Sequence, residues 1–131
     1  MSEAGSVLLD SSTLIAYLRN ERKVVEAIKK SSSLYLPSFT LAELYVGAYR
    51  QDPPDKHLKA IENVLKFTKV IHPGEKTVLK YAAIKVQLLK AGTPIPDNDL
   101  WIAALAMEHG MQLANRDAHF DAVDGLDQIK W

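Results

Sequence analysis

Hydrophobic and polar positions along this chain follow two periods, one typical of buried strands and one typical of amphipathic helices. Short runs rich in apolar residues, each closed by turn-forming or polar residues, predict strands at residues 7–9, 34–36, 69–71 and 111–114. The segment 128–130 predicts a weaker fifth strand. The strand pattern therefore recurs along the whole chain.

Between these strands, apolar residues recur at spacings of three and four, which is the period of an α-helix. Leu14, Ile15, Tyr17 and Leu18 mark one face of a helix that starts at Thr13. Similar patterns predict further helices over about 22–30, 40–50, 56–67, 76–90 and 98–109. Strands that alternate with helices imply an α/β fold, with a mostly parallel sheet of four to five strands covered by helices on both faces. No domain-sized linker interrupts the pattern, so we expect a single domain over residues 1–131.

Four acidic residues fall at one edge of such a sheet. Asp10 directly follows the first predicted strand, Glu43 lies in the first turn of the helix after the second strand, Asp99 lies in the first turn of the helix over 98–109, and Asp117 follows the fourth strand. Ligands of open parallel sheets bind outside the carboxyl ends of the strands. We therefore expect these four carboxylates to face one crevice.

Each acid also has an ordinary structural explanation. Asp10 is a candidate N-cap of the first helix, and residues 40–43 fit the S/T-x-x-E capping box. Asp97 is the better N-cap candidate of the helix over 98–109, so a favourable interaction with the helix dipole is enough to explain Asp99. Asp117 suits an ordinary Asx turn. The sequence leaves both interpretations open for each residue taken singly.

Taken together, four carboxylates at one edge call for a counter-charge. Two carboxylates about 4 Å apart repel by roughly 4 kcal/mol at an effective dielectric near 20, which favours proton uptake or a bound cation. Mg²⁺ prefers oxygen ligands and keeps several waters, and Mn²⁺ accepts similar ligands. We therefore expect a Mg²⁺ or Mn²⁺ site, in which Ser12 either orients Asp10 by a hydrogen bond or acts only as a helix cap.

Composition and charge exclude several classes of protein. The chain has no cysteine, which excludes disulfide scaffolds and cysteine nucleophiles. It has 16 Lys+Arg against 16 Asp+Glu, a balance that argues against indiscriminate coating of nucleic acid. The longest apolar run, residues 100–107, is shorter than the roughly 20 residues that span a bilayer, and residues 1–6 lack the basic start of a secretory signal. We expect a cytoplasmic protein without membrane association.

Four segments resemble the motifs of PIN domains, in the family's order and over almost the whole chain. VLLDSSTLI (7–15) resembles the opening motif, in which an aspartate ends the first strand, and TLAELYVGA (40–48) resembles the helix that carries the family's glutamate. DLWIAALAMEHG (99–110) is similar to the third motif, and LANRDAHF (113–120) to the fourth. Length and the surroundings of Glu43 look most like the small VapC-type ribonucleases of toxin–antitoxin pairs.

The resemblance implies a three-layer, Rossmann-like PIN fold and metal-dependent cleavage of RNA. By analogy with the family, Asp10, Asp99 and Asp117 hold one or two Mg²⁺ or Mn²⁺ ions, and Glu43 completes the catalytic ring of acids. Asn115 stands where the family commonly has Ser or Thr in a supporting role. The resemblance also implies a VapB-like antitoxin as partner and a homodimer or higher homo-oligomer.

Further residues and two other functions bear on this interpretation. Arg116 is the candidate phosphate contact, with a solvated loop arginine as the alternative. His119, close to Asp117, is interpreted as a loop histidine without a role, with a substrate contact as the alternative. Tyr45 and Trp101 are expected to pack in the core. A haloacid-dehalogenase-like phosphatase would need an acid where Ser12 stands. The competing function is an inactive PIN-like module that binds RNA or protein.

Overall fold

The strands form one parallel sheet. The computed structural model describes residues 5–131. The strands are β1 (Ser6–Leu9), β2 (Ser33–Pro37), β3 (Lys69–Ile71), β4 (Gln112–Asn115) and β5 (Gln128–Lys130). They pair in the order β3-β2-β1-β4-β5, and every pair is parallel. The predicted sheet is confirmed, including its fifth strand. Residues 1–4 belong to the segment that was expected not to be a secretory signal, and they lie outside the described residues.

Six α-helices connect the strands in the described part of the chain. They are α1 (Ser11–Leu18), α2 (Arg22–Lys30), α3 (Ser38–Tyr49), α4 (Asp55–Leu65), α5 (Glu75–Ala91) and α6 (Asp97–His109). Five of these six helices, all except α2, begin one or two residues earlier than the apolar pattern indicates, because their first residues are mostly polar and carry no apolar periodicity. A 3-10 helix, Ala118–Ala122, follows β4 and was not predicted. None of the helices between residues 5 and 131 has the length and hydropathy needed to cross a membrane.

The sheet separates two hydrophobic cores. Leu8 points to one face, where it belongs to a buried cluster with Ile84 of α5 and Leu105 of α6. Its neighbour Leu9 points to the other face and belongs to a cluster with Val64 of α4. This alternation follows from the two-residue period of a strand, and each aliphatic side chain that is fully buried contributes about 1.5–3 kcal/mol. The three-layer arrangement is thus confirmed.

Two aromatic side chains that the helical spacing assigns to the core are only partly buried. Tyr45 stacks on Tyr49, with ring centroids 6.2 Å apart, and Trp101 stacks on Tyr81 at 4.0 Å. The core prediction for Tyr45 and Trp101 is therefore wrong. The physical reason is that a large aromatic ring can cover apolar surface without being fully buried, and each of these two rings packs on a neighbouring tyrosine.

The carboxyl ends of β1 and β4 lie side by side, and this adjacency positions the site. Leu9 is in register with Ala114. Beyond the register, the Asp10 N–H donates to the Ala114 carbonyl at 3.2 Å, and the Thr13 hydroxyl donates to the same oxygen at 3.0 Å. The turns that carry Asp10 and Asp117 therefore leave the sheet next to each other.

Candidate active site

Asp10 is held rigidly in the turn between β1 and α1. Its Oδ1 accepts the Thr13 N–H at 2.9 Å, which makes Asp10 the N-cap of α1. The Ser12 hydroxyl lies 2.9 Å from Oδ1 and 2.8 Å from Oδ2 and donates to the carboxylate. Asp10 therefore caps α1 and is oriented by Ser12 at the same time, because its carboxylate accepts hydrogen bonds from both Thr13 and Ser12.

Burial sets the electrostatics of Asp10. The residue is 4 % exposed, and this loss of solvent raises the pKa of its carboxyl above the ordinary value. The hydrogen bonds from Thr13 and Ser12 act in the opposite direction, whereas the negative charge of Asp99 raises the pKa further. Asp10 and Asp99 therefore belong to one electrostatic cluster.

Asp99 and Asp117 meet at the ring of His119. The His119 Nδ1 lies 3.0 Å from Oδ2 of Asp99 and 3.0 Å from Oδ1 of Asp117. One ligand atom from each of the three residues lies within 4.8 Å of the others. Burial raises the pKa of Asp99, the hydrogen bond from His119 opposes this, and the charge of Asp117 adds to the rise. The expectation that His119 has no role is not supported by this placement.

Glu43 lies at the rim of this cluster. Its Oε1 accepts a hydrogen bond of 2.7 Å from the side-chain amide of Asn98, the residue before Asp99. The predicted capping box of residues 40–43 is not formed, because α3 begins at Ser38 after Pro37. Glu43 is thus free of the capping role and instead joins α3 to the first turn of α6.

The first turn of α6 also differs from the expectation. Its N-cap is Pro96, and Asp97 is the first helical residue and makes no capping hydrogen bond. The Asp97 carboxylate instead accepts a hydrogen bond from the Tyr81 hydroxyl and lies 3.6 Å from the Lys85 ammonium group. The hydrogen bond from Tyr81 is the main reason that the pKa of Asp97 is lowered. Asp97 therefore ties α6 to α5, and its predicted capping role is wrong.

Asn115 supports the turn that carries Asp117. Its Oδ1 accepts the Asp117 N–H at 3.1 Å and the Lys130 ammonium at 2.5 Å, and its side-chain amide donates to Gln128 at 3.1 Å. Lys130 also donates to the Asp117 carbonyl at 3.1 Å. The Asp117 carboxylate in turn accepts the His119 N–H at 2.9 Å, which forms the expected Asx turn. The fully buried Asn115 thus fixes the backbone beneath Asp117.

Arg116 makes a different contact from the one predicted by sequence. Its guanidinium nitrogen lies 2.5 Å from Oε2 of Glu21, just before α2. Both side chains are more than one-third exposed, so the pair is open to solvent. A phosphate contact by Arg116 stays a prediction.

The donor set suits a divalent cation. Carboxylates are the ligands that Mg²⁺ and Mn²⁺ prefer, and Asp99 and Asp117 place theirs beside His119. Asp10 is not among the residues of this group, but its carboxyl interacts electrostatically with Asp99. The raised pKa values of Asp10 and Asp99 show that burial works against their negative charge. A cation bound among them would relieve this unfavourable energy. The residues present therefore fit the metal expected from the sequence.

Comparisons with known proteins identify relatives that are similar over nearly the whole chain. Ribonuclease VapC1 of Haemophilus influenzae strain R2866 is 28 % identical over 129 residues, which cover 95 % of this chain and 96 % of the relative. The tRNA(fMet)-specific endonuclease VapC of Salmonella typhimurium is 24 % identical over 127 residues, with the same coverage. The solved structure of VapBC-1 from nontypeable Haemophilus influenzae matches with a TM-score of 0.86 at 28 % identity, covering 95 % of this chain and 97 % of the matched chain. A PIN domain family model matches residues 7–126, and this chain therefore belongs to the PIN domain family.

Proposed function

We propose that this chain is a divalent-metal-dependent endoribonuclease, the toxin of a VapBC-type toxin–antitoxin pair that acts in the cytoplasm as a single PIN domain over residues 1–131. The observation that carries the proposal is the meeting of Asp99, Asp117 and His119, whose ligand atoms lie within 4.8 Å of one another, near Asp10, whose pKa the charge of Asp99 raises. Full-length similarity to VapC ribonucleases supports the same activity.

Each residue of the site has a proposed task. Asp10, Asp99 and Asp117 hold Mg²⁺ or Mn²⁺, and Glu43 completes the acidic ring. When bound, the ion supplies a water of lowered pKa and positive charge against the phosphate. Ser12 keeps the Asp10 carboxylate in one orientation, while Asn115 holds the turn of Asp117. Hydrolysis breaks the bond between phosphorus and the 3′-oxygen, so the products carry a 5′-phosphate and a 3′-hydroxyl.

Arg116 is the proposed contact to the RNA backbone, because an acidic pocket alone would repel phosphate. To reach substrate, its guanidinium must leave Glu21. An exposed ion pair contributes only about 0–1 kcal/mol, so releasing Arg116 from Glu21 costs little and an RNA phosphate can compete for it. Arg116→Gln should raise KM for RNA with little change in kcat.

Two exposed apolar surfaces support protein partners. Ile15 and Leu18 line a groove of about 540 Å³ between α1, α3 and α4, and Glu43 lines the same groove. An antitoxin segment with apolar residues would cover this groove next to the acids. Exposed side chains on α5, among them Val78 and Leu89, suit a homodimer. Coexpression with the protein encoded next to this chain, followed by light scattering, tests both assemblies.

The activity is tested with purified protein and end-labelled RNA, including a pool of tRNAs. We expect cleavage in MnCl₂ or MgCl₂, no cleavage in EDTA, and products with 5′-phosphates. Asp10→Asn and Asp99→Asn should lose at least about 100-fold in rate while keeping the circular dichroism spectrum of the folded protein. Glu62→Gln, on the exposed side of α4, is the matched control and should cleave normally.

Two results would contradict the proposal. Normal cleavage by folded Asp99→Asn would show that a contaminating nuclease or another site is responsible. Tight Mn²⁺ binding without cleavage of any RNA by the unmodified protein would favour the inactive binding module instead.

A further inference from the structure

His119 is held in place by its backbone and by its neighbour. Its N–H donates to the Asp117 carboxylate at 2.9 Å, and the next residue, Phe120, is fully buried in the core on the α5 and α6 side of the sheet. The 3-10 helix that contains both residues begins directly after Asp117. The imidazole is therefore presented to the acids by a fixed backbone.

The distances around the His119 ring match those between neighbouring ligands of one metal ion. Ligands at adjacent corners of an octahedron with bonds of about 2.1 Å lie about 3.0 Å apart. The His119 Nδ1 lies 3.0 Å from the nearest oxygen of Asp99 and 3.0 Å from that of Asp117. The oxygens of Asp99 and Asp117 lie within 4.8 Å of each other, so one ion could contact all three atoms once the two carboxylates move closer together.

A nitrogen ligand changes which ion the site favours. Mg²⁺ takes oxygen ligands and retains its waters, whereas imidazole is a ligand of first-row transition-metal ions. A site of carboxylates alone has no such bias. Replacing one water by the His119 nitrogen would strengthen the binding of Mn²⁺ and Co²⁺ and leave Mg²⁺ binding much less affected.

We infer that His119 is a direct metal ligand of the proposed active site and that it makes the site selective for transition-metal ions such as Mn²⁺ over Mg²⁺. The inference rests on the proposed function, since it uses the same metal site. The competing explanation is that His119 is only a counter-ion of Asp99 and Asp117 and leaves when a metal ion binds. The two explanations predict opposite changes in metal affinity.

The direct test is pulsed electron paramagnetic resonance of Mn²⁺ bound to the full-length protein, which detects coupling to a ligand nitrogen. We expect nitrogen coupling in the unmodified protein and its loss in His119→Gln. His72→Gln, which alters an exposed histidine outside the cluster, should retain the coupling. Bound Mn²⁺ without any nitrogen coupling in the unmodified protein would overturn the inference.

Metal titrations provide the second readout. His119→Gln should weaken Mn²⁺ binding by about 10-fold or more and change Mg²⁺ binding, measured by competition, by less than about 3-fold. Unchanged or tighter Mn²⁺ binding would support the counter-ion explanation and overturn the inference. Cleavage of RNA by a protein that shows no nitrogen coupling would leave the proposed function intact, whereas the absence of both metal binding and cleavage would refute both.

Discussion

The acids of the site work against the stability of the metal-free protein, and this leads to a prediction about Asp99. Burial and the charge of Asp117 raise the pKa of Asp99, so its ionised form costs free energy in the folded state. Asp99→Asn removes the charge but keeps the size and an oxygen that can accept the hydrogen bond from His119. We expect this variant to be more stable than the unmodified protein in EDTA.

The size of the gain follows from the geometry. Ligand oxygens of Asp99 and Asp117 lie within 4.8 Å of each other, and two unit charges at that distance repel by roughly 3.5 kcal/mol at an effective dielectric of 20. The Asp117 side chain is 38 % exposed, so solvent screens part of this repulsion. A net gain of about 1–2 kcal/mol corresponds to a rise of roughly 3–10 °C in melting temperature for a domain of this size.

The assay is thermal unfolding at pH 7.5, followed by circular dichroism in EDTA and again in MnCl₂. The unmodified protein should gain stability from Mn²⁺, because an ion that binds only the folded state stabilises it. Asp99→Asn should start from a higher melting temperature and gain much less from the ion. Glu62→Gln, an exposed acid on α4, should match the unmodified protein in both solutions.

The pH dependence checks the physical cause. An acid whose pKa is raised by folding destabilises the folded state above that pKa, and the cost disappears as pH falls and the carboxyl takes up a proton. The advantage of Asp99→Asn should therefore be largest at pH 7.5 and shrink towards pH 4. A variant that is less stable at pH 7.5, or whose advantage does not depend on pH, would refute this account.

Three further predictions concern the residues around the acids. Ser12→Ala removes the hydroxyl that donates to the Asp10 carboxylate and lowers its pKa, so Mn²⁺ affinity in titrations should fall more at pH 6 than at pH 8, by about tenfold per pKa unit. Thr40→Val replaces a hydroxyl that is buried without a partner in the described residues, and urea unfolding should show a gain of up to about 1 kcal/mol. Lys130→Met removes charged hydrogen bonds beneath Asp117. Because the Lys130 side chain is 46 % exposed, the loss should be about 0.5–1 kcal/mol in urea, and Lys130→Arg should recover part of it.

The sheet and the three aspartates could be predicted because both depend on local patterns. Asp10 directly follows Leu9, the last residue of β1. Its place at the end of a strand, and thus at the edge of the sheet, can therefore be predicted from the sequence. In a parallel sheet all such ends meet at one edge, so topology alone brings Asp10 and Asp117 together. The helix starts were less predictable, since Pro37 and Pro96 fix the backbone one residue before helices whose first turns lack an apolar pattern.

The partners of the acids could not be predicted, because their positions depend on contacts between distant segments. Lys130 lies 13 positions after Asp117 in the chain. It reaches the Asp117 turn only because β5 pairs with β4. His119 lies two residues from Asp117, yet its ring meets Asp99 only because α6 packs against the 3-10 helix and buries Phe120. The same local sequence would be found for a loop histidine that follows an Asx turn and contacts no second acid. What distinguishes His119 is the second carboxylate, supplied by a residue 20 positions away, so its contact with both acids is a property of the fold and not of the local sequence.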